Sequence, residues 1–206
     1  MLKIILTEIH QSKSNIGTER LIPWDELISR WHTPLVNNLK DKIPQFFPGE
    51  FKSKDYDPAQ YANGNIIYNK NIPLVRKTKS NVLNYHAIVR DYDGGCRIDE
   101  FIDKFSDYEF FLYTTFSHTK EAHRFRVIFP LPHPIDVNTF ISKSRAMLTE
   151  FQDDKGASSV GQAWKVPAIE SRTASYKCHH NKGKLLEINL FDTEIKREVP
   201  VYTRRE

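Results

Sequence analysis

Two aspartates at the end of an apolar stretch are the clearest candidates for chemistry in this sequence. Asp91 and Asp93 flank Tyr92 and are followed at once by Gly94-Gly95. In an extended strand, alternate residues project from the same face, so both carboxylates would point the same way. Divalent cations such as Mg²⁺ and Mn²⁺ prefer such hard oxygen ligands. The spacing therefore allows a metal site, and the alternative is an ordinary turn, for which these residues are also well suited.

Phosphate-binding chemistry is the next possibility, because polar and cationic side chains follow the aspartates. Ser117, His118 and Thr119 form a string of two hydroxyls and an imidazole that can donate hydrogen bonds to phosphate oxygens. Arg124 and Arg126 alternate with apolar residues, which puts both guanidinium groups on one strand face. Because guanidinium groups are expensive to bury, that face would meet anions or solvent.

A second acidic pair, Asp153-Asp154, is expected at the end of a helix. Carboxylates there oppose the helix dipole, so a bound cation or full exposure must compensate. Cys178-His179-His180 also contains zinc-ligand residue types, but no second pair follows at a suitable spacing. We therefore expect no structural zinc.

The elements that must position these residues follow from periodicity. Helices are predicted over residues 23–31, 98–105 and 136–152, and strands over 1–9, 81–91, 109–116, 124–129 and 185–191. The interval 41–80 is broken by proline and glycine and is predicted to be irregular. A period of two along 81–91 would place Tyr85, Ala87 and Val89 on one face, and Tyr92 would point into the core.

This order of elements gives a fold class. The succession β-α-β-β-α-β over 82–191 is that of a ferredoxin-like, RRM-related sheet. We therefore predict an α+β protein in which a ferredoxin/RRM-like antiparallel sheet with flanking helices follows an N-terminal α/β lobe. One domain is expected, divided into a lobe at 1–80, a core at 81–192 and a frayed tail at 193–206.

Composition excludes several protein classes. The chain has 206 residues, of which 39% are hydrophobic and 27% charged, so a packed core is expected rather than disorder. Two cysteines cannot form a disulfide framework, which favours a reduced compartment. No stretch is apolar enough for a signal peptide or a membrane span, so an intracellular protein without a membrane partner is expected. The net charge of +4 permits a polyanionic partner.

Taken in order, these motifs resemble the archaeo-eukaryotic primase superfamily, and most closely the primase-polymerase domains of plasmids, phages and other mobile replicons. The resemblance is carried by DYD after an apolar strand, then SHT, then RFRVIFPL, then an aspartate followed by WKVP. It covers roughly residues 80–180. The first 80 residues match no pattern that we can place.

The resemblance implies a DNA primase-polymerase that makes and extends primers on a single-stranded DNA template from nucleoside triphosphates. Asp91, Asp93 and Asp154 would be the catalytic acids and would hold two Mg²⁺ or Mn²⁺ ions. Asp154 is preferred to Asp153 because Lys165 then falls where the family has a basic residue, with a proline two positions later.

His118 would be the residue that touches the phosphates of the incoming nucleotide. Gln162 departs from the family pattern, which often has a basic residue at that point. The full set of predicted nucleotide-binding residues is Ser117, His118, Thr119, Arg124, Arg126 and Lys165, with Arg172 and Lys177 as weaker candidates for contact with DNA or phosphate.

The resemblance also implies a setting and a partner. The protein would work in the cytoplasm of the host cell of a plasmid, phage or other mobile replicon. A replicative helicase, as a partner protein or an appended domain, is expected, which would make this chain the N-terminal part of a longer replication protein.

Two other functions are compatible with such a sheet. A replication-initiation endonuclease of the His-hydrophobe-His type needs paired histidines on one strand and a nucleophilic tyrosine on a helix. The nearest candidates, His179-His180 and Tyr176, lack that spacing. A non-catalytic RRM-like binder of single strands would stack bases on sheet aromatics and would leave the aspartates without a role.

Overall fold

The fold is described from a computed structural model, which covers residues 1–10, 16–51 and 74–191. The helices are α1 (Trp24–Trp31), α2 (Ile98–Lys104) and α3 (Val137–Phe151). The strands are β1 (Lys3–Ile9), β2 (Ile16–Pro23), β3 (Leu35–Val36), β4 (Gln45–Phe47), β5 (Gly49–Phe51), β6 (Leu74–Arg76), β7 (Val82–Tyr92), β8 (Phe110–Thr114), β9 (Phe125–Asp136), β10 (Trp164–Lys165), β11 (Ala168–Ile169) and β12 (Cys178–Asn181). The predicted tail and much of the predicted irregular stretch, 52–73, lie outside the described residues.

Two five-stranded antiparallel sheets dominate the architecture. The amino-terminal sheet has the order β10-β4-β1-β2-β6, and the central sheet has the order β12-β8-β9-β7-β5. A short parallel pair, β11 and β3, lies apart from them. Two strands cross the boundary predicted near residue 80, because β5 belongs to the central sheet and β10 to the amino-terminal sheet. The mixed α+β class is as predicted.

The central sheet is buried on both faces. One face packs on α2 and α3 through an aromatic-rich cluster that includes Phe101, Phe125 and Phe129. The opposite face packs on α1 and the amino-terminal sheet through a second cluster that includes Trp31 and Phe111. Because both faces are covered, the inner strands are apolar almost throughout, which explains the runs that predicted them.

A β-bulge changes which residues of β7 share a face. Tyr85 packs in the cluster under α3, where its ring stacks on Phe140 with centroids 4.1 Å apart. Ala87 and Val89 pack in the opposite cluster. The pairing with β9 shifts register here, because Tyr85 faces Ile135 whereas Ala87 faces Pro130, and the alternation of faces inverts at this irregularity. The prediction that these three residues share a face is therefore wrong.

All three predicted helices are confirmed to within about one residue at each end. The helix predicted from Asp136 begins there because the Asp136 carboxylate accepts from the backbone N–H groups of Asn138 (2.7 Å) and Thr139 (2.9 Å). Among the residues described, no helix is both long enough and apolar enough to cross a membrane.

The prediction of a last strand over residues 185–191 is wrong. That interval contains a single 3₁₀ turn, Ile188–Leu190, and packs Leu186 into the core. The strand that closes the sheet is β12, which pairs with β8, while β5 occupies the edge beside β7. In a ferredoxin-like sheet the last strand would lie beside the first, so that specific arrangement is not confirmed.

Candidate functional site

A polar cleft separates the two sheets at the end of β7. We call it the carboxylate cleft, and its volume is about 250 Å³. One wall comes from the central sheet and the loop after β8, and the other from β10 and the 3₁₀ turn at Lys40–Lys42. Its charged and hydroxyl-bearing side chains include Asp91, Asp93, Ser117, Arg126, Lys165 and Lys40. The sheets thus bring residues that are distant in the sequence to one opening.

Asp91 and Arg126 form the central ion pair of the cleft. They face each other across the β7–β9 ladder. Arg126 donates from Nε to Oδ1 at 2.9 Å, and its Nη2 forms an ion pair with the same oxygen at 2.8 Å. Arg126 also donates from Nη1 to the Lys165 carbonyl (3.0 Å), and its guanidinium lies 4.9 Å from the Trp164 ring centroid. Arg126 is only 9% exposed. The strand face that carries Arg126 was predicted to meet an anion or solvent. It meets an anion, which is a carboxylate of the protein itself.

Asp93 is more open. Its side chain is 53% exposed, and Oδ1 lies 3.6 Å from Nη1 of Arg124. The chain turns away directly afterwards through Gly94 and Gly95, whose φ angles of 112° and 78° favour glycine. The turn chemistry of the sequence is therefore used, and it leaves the Asp93 carboxylate at the rim of the cleft.

Asp154 lies beside this strand end. Its backbone N–H donates to the Asp91 carbonyl at 2.9 Å, and its carboxylate accepts from the backbone N–H of Gly156 at 2.6 Å. Asp153 is instead buried in a two-point ion pair with Arg90, with both N···O distances at 2.7 Å. Of the two adjacent acids, Asp154 is the exposed one. It borders the cleft rather than lining it.

Electrostatics in the cleft favour added cations at one end and anions at the other. Burial raises the pKa of the Asp91 carboxyl; Arg126 opposes this shift, and Asp93 and Asp154 add to it. Burial lowers the pKa of the Lys165 ammonium, and Lys40 lowers it further. Carboxylates that repel one another and ammonium groups that repel one another are both relieved by binding an ion of opposite charge.

The predicted phosphate loop is divided between two sites. Ser117 lines the carboxylate cleft and accepts a hydrogen bond from Nζ of Lys40 at 3.0 Å. His118 lines a different depression, on the other side of the loop. The Thr119 hydroxyl accepts from the backbone N–H of Ala122 at 3.0 Å and so closes the local turn.

The weaker candidates lie farther away. Lys177 lines the same depression as His118, and Arg172 is exposed in the loop after β11. The structure therefore brings Asp91, Asp93, Ser117, Arg126 and Lys165 into one cleft, with Arg124 and Asp154 at its border. His118, Lys177 and Arg172 are not part of that group.

Several lining residues were not predicted from the sequence, and three of them bear on the polar chemistry of the site: Lys40, Gln45 and Trp164. Lys40 comes from the amino-terminal half, and Nζ of Lys165 donates to its carbonyl at 2.7 Å. Gln45 has a buried Oε1 that finds no hydrogen-bond donor among the described residues. Trp164 is the aromatic partner of Arg126. Only Trp164 had a local signal, since it is adjacent to Lys165; the other two require knowledge of how the halves pack.

The carboxylates suit a divalent cation in their chemistry. Asp91 keeps Oδ2 clear of hydrogen bonds from any described residue, and Asp93 is largely exposed. Within residues 1–10, 16–51 and 74–191, however, no three His, Cys, Asp or Glu side chains are already gathered closely enough to hold a metal. The donor types therefore fit Mg²⁺ or Mn²⁺, and Asp91, Asp93 and Asp154 are the residues that would supply them.

The structure does not favour the two other functions, because the side chains that each of them needs are not suitably placed. Tyr176 lies outside any helix, and its hydroxyl donates to the Trp31 carbonyl at 2.7 Å. His179 and His180 are consecutive in β12, so their side chains point to opposite faces. The sheet aromatics Phe111 and Tyr113 are at most 1% exposed, which leaves them unavailable to stack on bases.

Comparisons with known proteins give one likeness. No family model and no curated protein matches the chain. Among solved structures, the AEP domain of the cyanophage S-2L primase-polymerase (PrimPol) aligns with a TM-score of 0.49 at 8% sequence identity. The alignment covers 92% of this chain and 86% of that one. A likeness at this score and identity does not by itself assign a family or an activity.

Proposed function

We propose that the chain is a primase-polymerase, a nucleotidyltransferase that makes and extends primers on single-stranded DNA. The observation that carries the proposal is the carboxylate cleft. Asp91 and Asp93 end a central strand there, Asp154 is hydrogen-bonded to that strand end, and cationic and hydroxyl side chains form the remaining polar wall. The sequence motifs that resemble primase-polymerases supply the aspartates, Ser117, Arg126 and Lys165.

The reaction consists of one bond exchange. The 3′-oxygen of a primer, or of a first nucleotide, bonds to the α-phosphorus of a nucleoside triphosphate while the α–β anhydride bond breaks. The hydroxyl proton is lost and pyrophosphate leaves. The protein must mainly hold the partners in line and neutralise charge. A pair of Mg²⁺ or Mn²⁺ ions, when bound, lowers the pKa of the hydroxyl and stabilises the leaving group.

The chain's own residues have distinct roles in this proposal. Asp91, Asp93 and Asp154 hold the divalent ions. Lys165 and Ser117 donate to phosphate oxygens in the cleft, next to the acids. Arg126 is a positioning residue, because its hydrogen bond and ion pair with Oδ1 fix the Asp91 carboxylate while Oδ2 faces no described donor.

Template, partner and setting belong to the same proposal. The substrates are a single-stranded DNA template and nucleoside triphosphates. The partner is a replicative helicase, and the protein works in the cytoplasm of a cell that carries a mobile replicon. These assignments rest on the resemblance of the motifs, and the basic side chains in and beside the cleft support a polyanionic substrate.

Template-directed synthesis tests the proposal. The protein is incubated with single-stranded DNA, labelled nucleotides and Mg²⁺ or Mn²⁺, with and without a supplied primer. We expect labelled product in both reactions and none without a divalent ion. Asp91→Asn with Asp93→Asn should abolish synthesis, since the substitutions remove ligand charge; asparagine at 91 also keeps an acceptor for buried Arg126. Asp103→Asn, at an exposed site on α2, is the control. Full activity in the double variant would end the proposal.

A further inference from the structure

An apolar pocket of about 160 Å³ adjoins the carboxylate cleft, and we call it the apolar pocket. Most of its lining side chains are hydrocarbon or aromatic, and they include Leu6, Ile9, Trp31, Leu35, Phe46 and Pro167. The floor, which contains Ile9 and Phe46, is at most 1% exposed, whereas Leu35 at the rim is 46% exposed. Gln45 and Val166 line both the apolar pocket and the carboxylate cleft, so the two spaces share one wall.

The charges that line the apolar pocket are already neutralised. Glu8 and Arg30 both line it and form an ion pair with each other, and the other oxygen of Glu8 pairs with Nε of Arg20 at 2.9 Å. Among the described residues, the pocket therefore presents no unpaired carboxylate or guanidinium. Its volume is below the roughly 300–1,000 Å³ of sites for drug-sized ligands. These features suit a small, uncharged ligand with apolar faces.

The side-chain amide of Gln45 is the polar group that lacks a partner. Gln45 faces Ile9 on β1 and Lys165 on β10, and residues that face each other across strands share one side of the sheet. Because Ile9 lines the apolar pocket and Lys165 lines the cleft, this row places Gln45 in the wall between them.

Neither end of that amide is hydrogen-bonded. Oε1 of Gln45 is buried and accepts from no described residue, and Nε2 donates to none. A buried acceptor without a donor is unfavourable, so a ligand that donates to it gains free energy. The terminal torsion of a glutamine is soft, which allows the amide to turn toward such a ligand. The wall thus offers one acceptor and one donor side by side, next to an apolar space.

We propose that the apolar pocket binds an adenine base through the amide of Gln45. Glutamine pairs with adenine by two hydrogen bonds, in which the N6 amino group donates to Oε1 and Nε2 donates to N7. The Gln45 amide supplies both halves of this pattern. Guanine presents two acceptors on the same edge, which leaves the carbonyl oxygen of the amide without a donor. The base belongs either to a free nucleotide or to a nucleic-acid strand, and none of the proposed catalytic acids takes part.

Adenosine with EDTA present is the probe, because it carries no phosphate and needs no divalent ion. Binding to the wild-type protein is followed by NMR at the side-chain amide of Gln45 and at the indole N–H of Trp31, and we expect both signals to shift. 7-Deazaadenosine lacks the N7 acceptor and inosine lacks the N6 donor, so each should bind about tenfold more weakly than adenosine. Equal affinities for the three nucleosides, or an unshifted Gln45 signal, would overturn the proposal.

Variants and a second indole locate the base. Gln45→Leu should abolish the preference for adenosine over inosine, and Gln162→Leu should retain it, since Gln162 lines the cleft but not the apolar pocket. Shifts at the Trp164 indole without shifts at Trp31 would place the base in the carboxylate cleft and contradict the proposal. The wild-type nucleoside series decides the matter even if Gln45→Leu folds poorly.

Two further titrations identify the source of the base. A thymine oligonucleotide that carries one adenine is compared with adenosine triphosphate in EDTA, each beside its 7-deaza counterpart. The source is the ligand that binds more tightly than adenosine and loses this advantage in the 7-deaza form. If neither shifts the Gln45 amide, the proposed ligand is wrong. Asp91→Asn with Asp93→Asn should leave adenosine binding unchanged, so failure of the polymerase assignment would not remove this result.

Discussion

Arg90 and Asp153 form a fully buried ion pair directly behind the candidate site. Both side chains have 0% exposure, the pair is joined by two hydrogen bonds of 2.7 Å, and the guanidinium also lies 5.3 Å from the Phe151 ring centroid. Because Asp154 is the next residue, the pair holds in place the corner that sets Asp154 against Asp91. A structural acid and a candidate catalytic acid are thus adjacent in the sequence.

Removing one partner of this pair should be more damaging than removing both. Arg90→Met leaves a buried, uncompensated carboxylate, and we expect it to lower the free energy of unfolding by about 3–5 kcal/mol. Combining it with Asp153→Leu should restore part of that loss, because no charge is then left without a partner. Urea unfolding of the two single variants and the double variant measures the coupling. Losses that simply add would contradict a direct pair.

At the scale of single residues, the sequence predicts which residues could form the site better than it predicts which side chains bond to each other. Asp91, Asp93 and Arg126 all line the carboxylate cleft, whereas Arg124 lies just before β9 and contacts Asp93 at the border. That Asp91 and Arg126 bond to each other depends on the register of β7 against β9, which lies 35 residues away in sequence. The separation of Ser117 from His118 depends on the loop conformation, and the sequence pattern carries no information about it.

At the scale of elements, Gly49 explains how β5 can join the central sheet. A Cβ atom at this position would lie 2.0 Å from the Asn84 carbonyl oxygen on β7. The Thr7 hydroxyl of β1 donates to the Gly49 carbonyl at 2.9 Å from the other direction. Backbone therefore approaches backbone more closely here than any side chain permits.

Gly49→Ala should consequently separate β5 from β7. We expect it to lower the free energy of unfolding by about 1–3 kcal/mol, the usual cost of inserting an atom into a packed site. Gly94→Ala is the comparison, since its Cβ would meet no atom within 4 Å and only the positive φ is unfavourable, at about 1–2 kcal/mol. Hydrogen exchange should show faster exchange at the β5–β7 edge in Gly49→Ala alone. Equal exchange there in both variants would rule out the steric explanation.

The prediction of helices and strands was correct where the apolar pattern extends over many residues. It was wrong at the edge of the central sheet. The helices are amphipathic over two or more turns, and the inner strands are apolar on both faces. β12 has the sequence CHHN, which carries no strand pattern, and it forms because β8 offers an unpaired edge. Apolar and polar residues alternate over 185–191 as in a strand, but no strand edge pairs with this interval. Leu186 and Ile188 are therefore buried without being part of a sheet.

At the scale of the whole molecule, Lys40 connects the amino-terminal half to the candidate site. Nζ of Lys40 bonds to the Ser117 hydroxyl, while Nζ of Lys165 bonds to the Lys40 carbonyl. Ile43, completely buried just after this turn, anchors it to the core. An ammonium group is thereby held over the cleft from the side opposite to the aspartates.

If the cleft binds a nucleoside triphosphate, Lys40→Ala should raise KM for the nucleotide about tenfold with a smaller effect on kcat, because one charged hydrogen-bond donor is lost. Lys42→Ala is the matched control, since Lys42 lies in the same turn, is exposed and does not line the cleft. Steady-state primer extension at varied nucleotide concentration measures both. Identical KM values in the two variants would remove Lys40 from the substrate site.

The exchange of β5 and β10 between sheets has a consequence for how the protein matures on the ribosome. β4 lacks its outer neighbour until the chain has been translated past Lys165, and β7 can pair with β5 only after residues 52–81, which include β6, have been synthesised. Nascent chains must therefore keep apolar strand edges uncovered during most of elongation, a condition in which chaperones are expected to bind. Slower translation of the second half would lengthen that vulnerable period.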